Sequence, residues 1–242
     1  MQLANGVDAI DLAIYLPVHE TLVLSDLHMG FEESLNAQGV LVPRTHYKDL
    51  VDRLELIFAE LKNRRQRVSQ VVITGDLKHE FGGIRRQEWK DVSRIVDYLL
   101  RRVERLVLIK GNHDVQLGPI ATRRGLELVK DVRLGDVLII HGDQEPNDLK
   151  GVTTIIMGHE HPAIGLRSGT RVERFKCYLV GRYKRKTLIV QPSANLLTEG
   201  SDVMKEQTLS PLLSKDILSF KAFVLDDKKR ELLDFGVIRR LR

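Results

Sequence analysis

The sequence predicts an α/β protein built on parallel strands, and three observations carry that expectation. Short apolar runs alternate with amphipathic stretches in the order β-α-β-α-β, which makes successive strands parallel through right-handed crossovers. The runs Thr21–Leu24, 71–73 and 106–109 are apolar almost throughout, as strands buried on both faces are. Each is followed by a polar cluster, where open α/β sheets gather ligands and catalytic groups.

Taken in order, residues 9–15 and Thr21–Leu24 read as two strands with Pro17 between them, the second entering Ser25-Asp26-Leu27-His28. Leu41-Val42-Pro43 opens a long helix. Its Tyr47, Leu50, Val51, Leu54, Ile57, Phe58 and Leu61 keep the three-and-four spacing of one buried face. The strand 71–73 closes on Thr74-Gly75-Asp76 and leads through Lys78-His79-Glu80 to Gly82-Gly83. A second helix carries Trp89, Val92, Val96, Leu99 and Val103 on one face, and residues 105–110 return as the strand that delivers Asn112 and His113. A further helix is expected over 115–124.

Residues 126–134 and 136–140 read as strands joined tightly at Gly135, the second ending in His141-Gly142-Asp143. Residues 154–157 end in Gly158-His159-Glu160-His161-Pro162. Short strands are expected over 163–193, where Arg171, Arg174, Lys176, Arg182, Lys184, Arg185 and Lys186 stand against the lone acid Glu173. Such a run is either a solvated hairpin with charged edges or a face for a polyanion. Residues 195–217 read as an irregular excursion, and two last strands fall within 220–239 around Asp226-Asp227-Lys228-Lys229. No repeat, linker or composition shift divides the chain, so 1–242 is expected to be a single domain.

Composition sets the broad class: 43% hydrophobic and 29% charged residues describe a globular chain and exclude disorder. A net charge of +5 leaves a polyanionic partner open, but serves solubility equally well. The single cysteine, Cys177, excludes an intrachain disulfide and fits a reducing compartment. No apolar run approaches the ~18 residues that span a bilayer, and the N-terminus lacks the pattern of a signal peptide. A cytoplasmic protein without a membrane partner is expected; a protein partner or homo-oligomer stays open.

Five strand ends carry metal-ligand residue types: Asp26 and His28, Asp76, Asn112 and His113, His141, then His159 and His161. Singly, each reads equally well as a turn or core residue; together at strand ends they point to one site. In an extended backbone residues two apart point the same way, so Asp26 with His28, and His159 with His161, are each expected to converge on one point. Two carboxylates, one amide and four imidazoles exceed what one tetrahedral zinc takes, and paired cysteines are absent. Two divalent ions fit better, held roughly 3.5 to 4 Å apart by a shared carboxylate. Mixed oxygen and imidazole donors suit manganese first, with iron, zinc or magnesium as alternatives.

Asp26-Leu27-His28, Gly75-Asp76, Gly111-Asn112-His113-Asp114, His141 and Gly158-His159-Glu160-His161 resemble, in order, the five-block signature of the calcineurin-like metallophosphoesterases. Within that superfamily, Gly75-Asp76-Leu77-Lys78-His79 is more similar to the SbcD-type double-strand-break nucleases and their stand-alone relatives than to the phosphatases. The phosphatases usually have a carboxylate where His79 stands. The resemblance implies a four-layer α/β/β/α sandwich. It implies one metal held by Asp26, His28 and His161, a second by Asn112, His141 and His159, and Asp76 as the bridge. It makes His113 the catalytic acid, oriented by Asp114.

Independent chemistry agrees with that expectation. Two dications lower the pKa of a bridging water enough to give a nucleophile, while a near-neutral imidazole such as His113 protonates the departing alkoxide. The first functional expectation is therefore a two-metal phosphodiesterase acting on DNA or RNA, a nuclease of repair type, with His79 at the substrate. The second is the same chemistry on a small nucleotide or phosphomonoester. A third, of another class, is a non-catalytic scaffold on the same fold. Arg44 or His46, near the start of the long helix, is a further candidate for phosphate steering. No Gly-x-x-x-x-Gly-Lys-Ser/Thr loop is present, so the chain is expected to bring no ATPase of its own.

Overall fold

The computed structural model describes residues 1–83, 85–169, 171–213 and 217–241. The first sheet starts as an antiparallel meander of β1 (Gln2–Ala4), β2 (Val7–Ile10), β3 (Ala13–Leu16) and β4 (Thr21–Leu24). It continues through α1 (Phe31–Ala37) and α2 (His46–Asn63) to β5 (Gln70–Ile73), through α3 (Arg86–Leu100) to β6 (Arg105–Ile109), and through α4 (Gly118–Arg124) to β7 (Glu127–Val129). β4 to β7 are parallel.

Alternation along these strands sorts their side chains into two cores. Leu22, Val71 and Leu106 lie in register, as do Leu24, Ile73 and Leu108, and all six join Leu50, Leu54, Ile57, Val92, Val96 and Leu99 of α2 and α3 in the outer core. The intervening Val23, Val72 and Val107 face the second sheet.

The second sheet contains β8 (Asp131–Leu134), β9 (Val137–Ile140), β10 (Thr154–Met157), β11 (Pro162–Ser168), β12 (Arg171–Tyr183), β13 (Lys186–Val190), β14 (Ser201–Asp202), β15 (Lys221–Asp226) and β16 (Glu231–Val237). β9, β10 and β13 are parallel, and their Ile139, Ile156 and Ile189 meet Val23, Val72 and Val107 between the sheets. These β-branched side chains are stiff at χ1 and pack well on a pleated surface. Two buried polar groups tie the sheets together. The Tyr178 hydroxyl lies 2.8 and 3.0 Å from the carbonyl oxygens of Asp11 and Ala13. The Gln191 amide donates to Leu12 O and Val23 O at 2.8 and 3.0 Å. This is the layered α/β sandwich that the sequence predicts. Its fourth layer consists of 3₁₀ turns at Pro211–Leu213, Ile217–Ser219 and Ile238–Arg240, with Leu212, Leu213 and Ile238 buried against the second sheet. No helix among the described residues is long and apolar enough to cross a membrane.

Several boundaries differ from the sequence reading. Residues 9–15 are not one strand but the hairpin of β2 and β3, because Asp11 takes a left-handed φ of 55° and its carboxylate is gripped by Arg53 at 2.9 and 3.0 Å. Residues 126–134 are likewise two strands. β7 pairs with β6 in the first sheet, and β8 pairs with β9 in the second, so the chain changes sheets at Lys130. The tight turn at Gly135 is present between β8 and β9. The helix expected from Leu41 starts at His46, since the Asn36 side chain holds the backbone of Val42 outside it; α4 likewise begins at Gly118, three residues later than expected at 115. Within 163–193, β12 is thirteen residues long rather than short: its first part pairs with β11 and the remainder with β13 and β15. The excursion 195–217 is largely irregular, with residues 214–216 outside the described ones.

Gly181 shows how closely the second sheet is packed, because a Cβ there would run into the buried Phe220 ring. Gly181→Ala is expected to destabilise the protein by about 1–3 kcal/mol through overpacking. A lower urea midpoint at unchanged slope would show it, and adding Phe220→Leu should restore part of the loss. A Gly181→Ala midpoint equal to wild type would contradict this packing.

Candidate metal centre

β4, β5 and β6 of the first sheet and β9 and β10 of the second deliver the predicted residues to one place. Asp26, His28 and His161 form one group whose donor atoms lie within 4.8 Å of one another, and Asp76, His141 and His159 form another. The Nε2 atoms of His28 and His161 are 3.2 Å apart. In the second group His141 Nε2 lies 3.2 Å from His159 Nδ1, 2.9 Å from Asn112 Oδ1 and 3.5 Å from Asp76 Oδ2. The same Asp76 oxygen is 3.8 Å from His28 Nε2, which puts it between the two groups.

The backbone that does this is not extended. Asp26, His28, Asp76, His159 and His161 all have φ between 45° and 66°, five of the eleven non-glycine residues with positive φ among those described. A left-handed residue costs on the order of 1 kcal/mol, and such residues gather at functional sites. The consequence corrects the spacing argument. His159 and His161 do not converge on one point but turn into different groups, whereas Asp26 and His28 share one. Close approach also dictates two glycines: a Cβ on Gly111 would overlap the Asp76 carboxylate, and one on Gly158 would overlap Ser25 and Asp26.

His113 stands beside both groups, its Nε2 3.8 Å from Asp76 Oδ2 and its amide donating to Asp76 Oδ1 at 3.0 Å. Its Nδ1 meets the carbonyl oxygen of His79. Asp114 does not orient that ring as expected. Its buried carboxylate accepts the amides of Gly111 at 3.0 Å and Lys78 at 3.3 Å, so it shapes the two loops instead. The His79 ring is 3.5 Å, nitrogen to nitrogen, from His28, and the two with His113 make a third group of close imidazoles. Arg44 is not in this cluster: it is exposed and paired with Glu33. His46 is buried, with Nε2 at 2.9 Å from Leu27 O, and supports the Asp26 loop from below rather than steering phosphate.

A sixth strand end was missed. After β13, Ser193 Oγ donates to Asp26 O at 2.7 Å and the Ala194 amide to Ser25 O at 2.8 Å. Lys176, counted by sequence among surface cations, turns its ammonium inward to Ser193 O and Asn195 O at 2.8 and 2.7 Å, and burial pushes it down to about 7. The signal available was the apolar run Leu188-Ile189-Val190 ending in Gln191-Pro192-Ser193, which contains no ligand type.

The electrostatics suit cations. Burial opposes ionisation of Asp26, but His161, His141 and His28 outweigh it and hold the carboxyl below its ordinary value. Burial, then the positive neighbour His141, lowers His159 to about 4; burial and His161 press His28 well below its usual range. Burial raises Asp76 to about 8, with Asp26 adding to the rise, while Asp26 and Asp76 together overcome burial to raise His141. Two imidazole nitrogens facing each other at 3.2 Å, beside buried carboxylates, are a donor set that a divalent ion satisfies and a proton only partly does. His141 Nδ1, 2.8 Å from Thr74 O, fixes the tautomer that turns Nε2 inward. The residues therefore fit two ions.

One titration follows. Asp76 raised to about 8 and His141 raised beside it hold a proton that a metal must displace. Manganese added to metal-free protein at about pH 7 is expected to release on the order of one proton, and at about pH 9 almost none. Calorimetry in buffers of different ionisation enthalpy measures the release, and identical heats in all buffers at about pH 7 would contradict it.

Comparison with known proteins places this geometry. The structure superposes on the Pseudomonas putida nuclease MPE with a TM-score of 0.65 and 18% identity, over 93% of this chain and 92% of that one. It also matches zinc-bound Vps29 from Entamoeba histolytica (TM-score 0.37, 18% identity, 89% and 99% covered) and vacuolar protein sorting 29 from Cryptosporidium parvum (0.39, 15%, 89% and 97%). No curated protein matches the sequence. The calcineurin-like phosphoesterase family model matches residues 19–150, more than half of the chain. The chain thus belongs to the calcineurin-like phosphoesterases and is a metal-dependent phosphoesterase.

Proposed function

We propose that the protein is a two-metal phosphodiesterase that cleaves nucleic acid. The observation that carries this reading is His113, which belongs to neither of the two groups that pair imidazoles with a carboxylate, yet is held against both through Asp76. A phosphodiester needs its leaving alkoxide protonated, and an imidazole that is not needed as a ligand is free to do so. Burial lowers the proton affinity of His113, and the His79 carbonyl, accepting from Nδ1–H, opposes that fall and leaves Nε2 facing the reacting groups.

Asp26, His28 and His161 would hold one ion, Asn112, His141 and His159 the other, with Asp76 shared. Bound there, two divalent cations, manganese first among them, would supply an activated water and neutralise phosphate oxygens. The chain's own part is to fix these donors in one edge of the sandwich and to carry the proton on His113 Nε2. An imidazole in the position of His79 supports the SbcD-type kinship and a diester substrate. The P. putida nuclease shares the fold with this chain, and that is the extent of its support.

One observation favours the second reading, a small phosphoester. Three of the seven cations in the basic run that suggested a polyanion face are paired with acids: Arg171 with Glu173 at 3.2 Å, Arg174 with Glu206 at 2.9 Å and Lys184 with Glu145 at 2.8 Å. The two readings separate on salt, because cleavage of a polyanion weakens steeply with ionic strength and turnover of a small ester does not.

The test is manganese-loaded protein with labelled single-stranded and duplex DNA, beside model mono- and diesters. Cleavage of DNA is expected, and His113→Ala should lower it on the order of 10²-fold or more at unchanged metal content. No DNA cleavage above the His113→Ala level, with rapid turnover of a small ester, overturns the nuclease reading.

A further inference from the structure

The nuclease reading needs a cationic surface at the site, and four of the seven cations in the stretch that sequence singled out are paired with acids or turned inward. Another surface offers a row of cations. A groove of about 840 Å³ runs between α1, α3 and α4, lined by Arg44, Arg86, Lys90, Arg94 and Arg124 with Glu33 as its carboxylate. Arg86, Lys90 and Arg94 recur every fourth residue along one face of α3, so successive cations are about 6 Å apart along the helix. That is close to the separation of successive phosphates in an extended nucleic-acid strand.

The pairing of these cations differs along the groove. Arg44 is bound to Glu33, Arg94 lies 3.5 Å from Asp91 and stacks over the Tyr47 ring, and Arg124 pairs with Asp97 at 2.6 Å. Arg86 and Lys90 are exposed and have no acidic partner among the described residues. Between them Trp89 lines the groove, with the Arg123 guanidinium 5.8 Å from its ring centre.

The groove's lining includes Glu33 and Arg86, first-turn residues of α1 and α3, and the ring of Phe31, the first residue of α1, lies 4.6 Å from that of His79. The Glu88 carboxylate, in the first turn of α3, accepts the amides of His79 and Glu80, each at 2.9 Å, and so fixes the row of cations to the residue whose carbonyl holds His113. α1 follows the loop of Asp26 and His28, and α4 follows that of Asn112 and His113. All three walls thus start from strand ends of the metal centre.

We propose that this groove is the track on which the phosphate backbone of a single nucleic-acid strand lies as it enters the site, with Arg86 and Lys90 as its main phosphate contacts. The inference rests on the nuclease reading and names where its substrate binds. It assigns the polyanion contact to α3 and removes it from β12.

Binding and cleavage are measured separately. A fluorescein-labelled single-stranded oligonucleotide is titrated by anisotropy with chelator present, across a salt series, for wild type, Arg86→Ala/Lys90→Ala and Arg171→Ala/Arg174→Ala. The groove variant is expected to bind about tenfold or more weakly and to lose about 1.4 from the log–log salt slope, as two lost single-strand phosphate contacts predict. The β12 variant should bind as wild type does. Manganese-loaded turnover of bis(p-nitrophenyl) phosphate should be unchanged in the groove variant, because neither side chain belongs to the metal centre. Wild-type affinity and slope in the groove variant, in a protein that cuts DNA, overturn the track and leave the nuclease reading standing. A wild type that neither binds nor cuts DNA while hydrolysing the small diester overturns both.

Discussion

Asp76 stands between the two groups of ligand-type residues, and the geometry of the site follows from that. Its carbonyl accepts the His28 amide at 2.9 Å, its Oδ1 accepts the His113 amide at 3.0 Å, and its Oδ2 faces His28, His113 and His141 at 3.5 to 3.8 Å. One residue with a φ of 47° therefore joins the loops after β4, β5 and β6 to the second sheet. Gly111 is required because no side chain fits between it and this carboxylate. A buried carboxyl with its charge unbalanced would be expensive. The surrounding imidazoles and the raised proton affinity of the Asp76 and His141 pair show that the protein alone does not fully balance it.

The two sheets meet that constraint by rigid packing. Six β-branched residues, Val23, Val72, Val107, Ile139, Ile156 and Ile189, fill the layer between them, the first five on strands that lead into the ligand loops. Dense packing of low compressibility just beneath a site leaves it little room to relax, so left-handed residues such as Asp26 and His159 can be held where a looser scaffold would relax them. Ser25, Thr74 and Ser193 continue this support with hydrogen bonds around Asp26. Catalytic positioning here is thus a property of the inter-sheet core as much as of the ligands.

Charge is arranged on the same principle of shared anchors. Glu88 caps the loop of His79 and at the same time starts the helix whose Arg86, Lys90 and Arg94 face the groove. Arg171, Arg174 and Lys176 of β12 are instead consumed by Glu173, Glu206 and the carbonyls of Ser193, Asn195 and Gly200. Net charge and its clustering along the sequence therefore say little about where a polyanion can bind, because pairing is decided across strands and loops distant in the chain.

The sequence by itself determined the parallel α/β order, the five strand ends and the identity of every candidate ligand, because burial on both faces writes uninterrupted apolar runs and a metal-binding loop needs particular residue types. Strand spacing did not decide which ligands share a group; beyond the grouping that the family resemblance implies, tertiary structure did. Spacing along an extended strand paired His159 with His161, yet left-handed backbone turns them apart, and φ is set by neighbours such as Asp26, which takes the His159 amide at 3.0 Å. It also decided that His79 rather than Asp114 meets the ring of His113, and that Lys176 points inward. Such contacts join residues up to 133 positions apart, as His28 and His161 are, and no local periodicity records them.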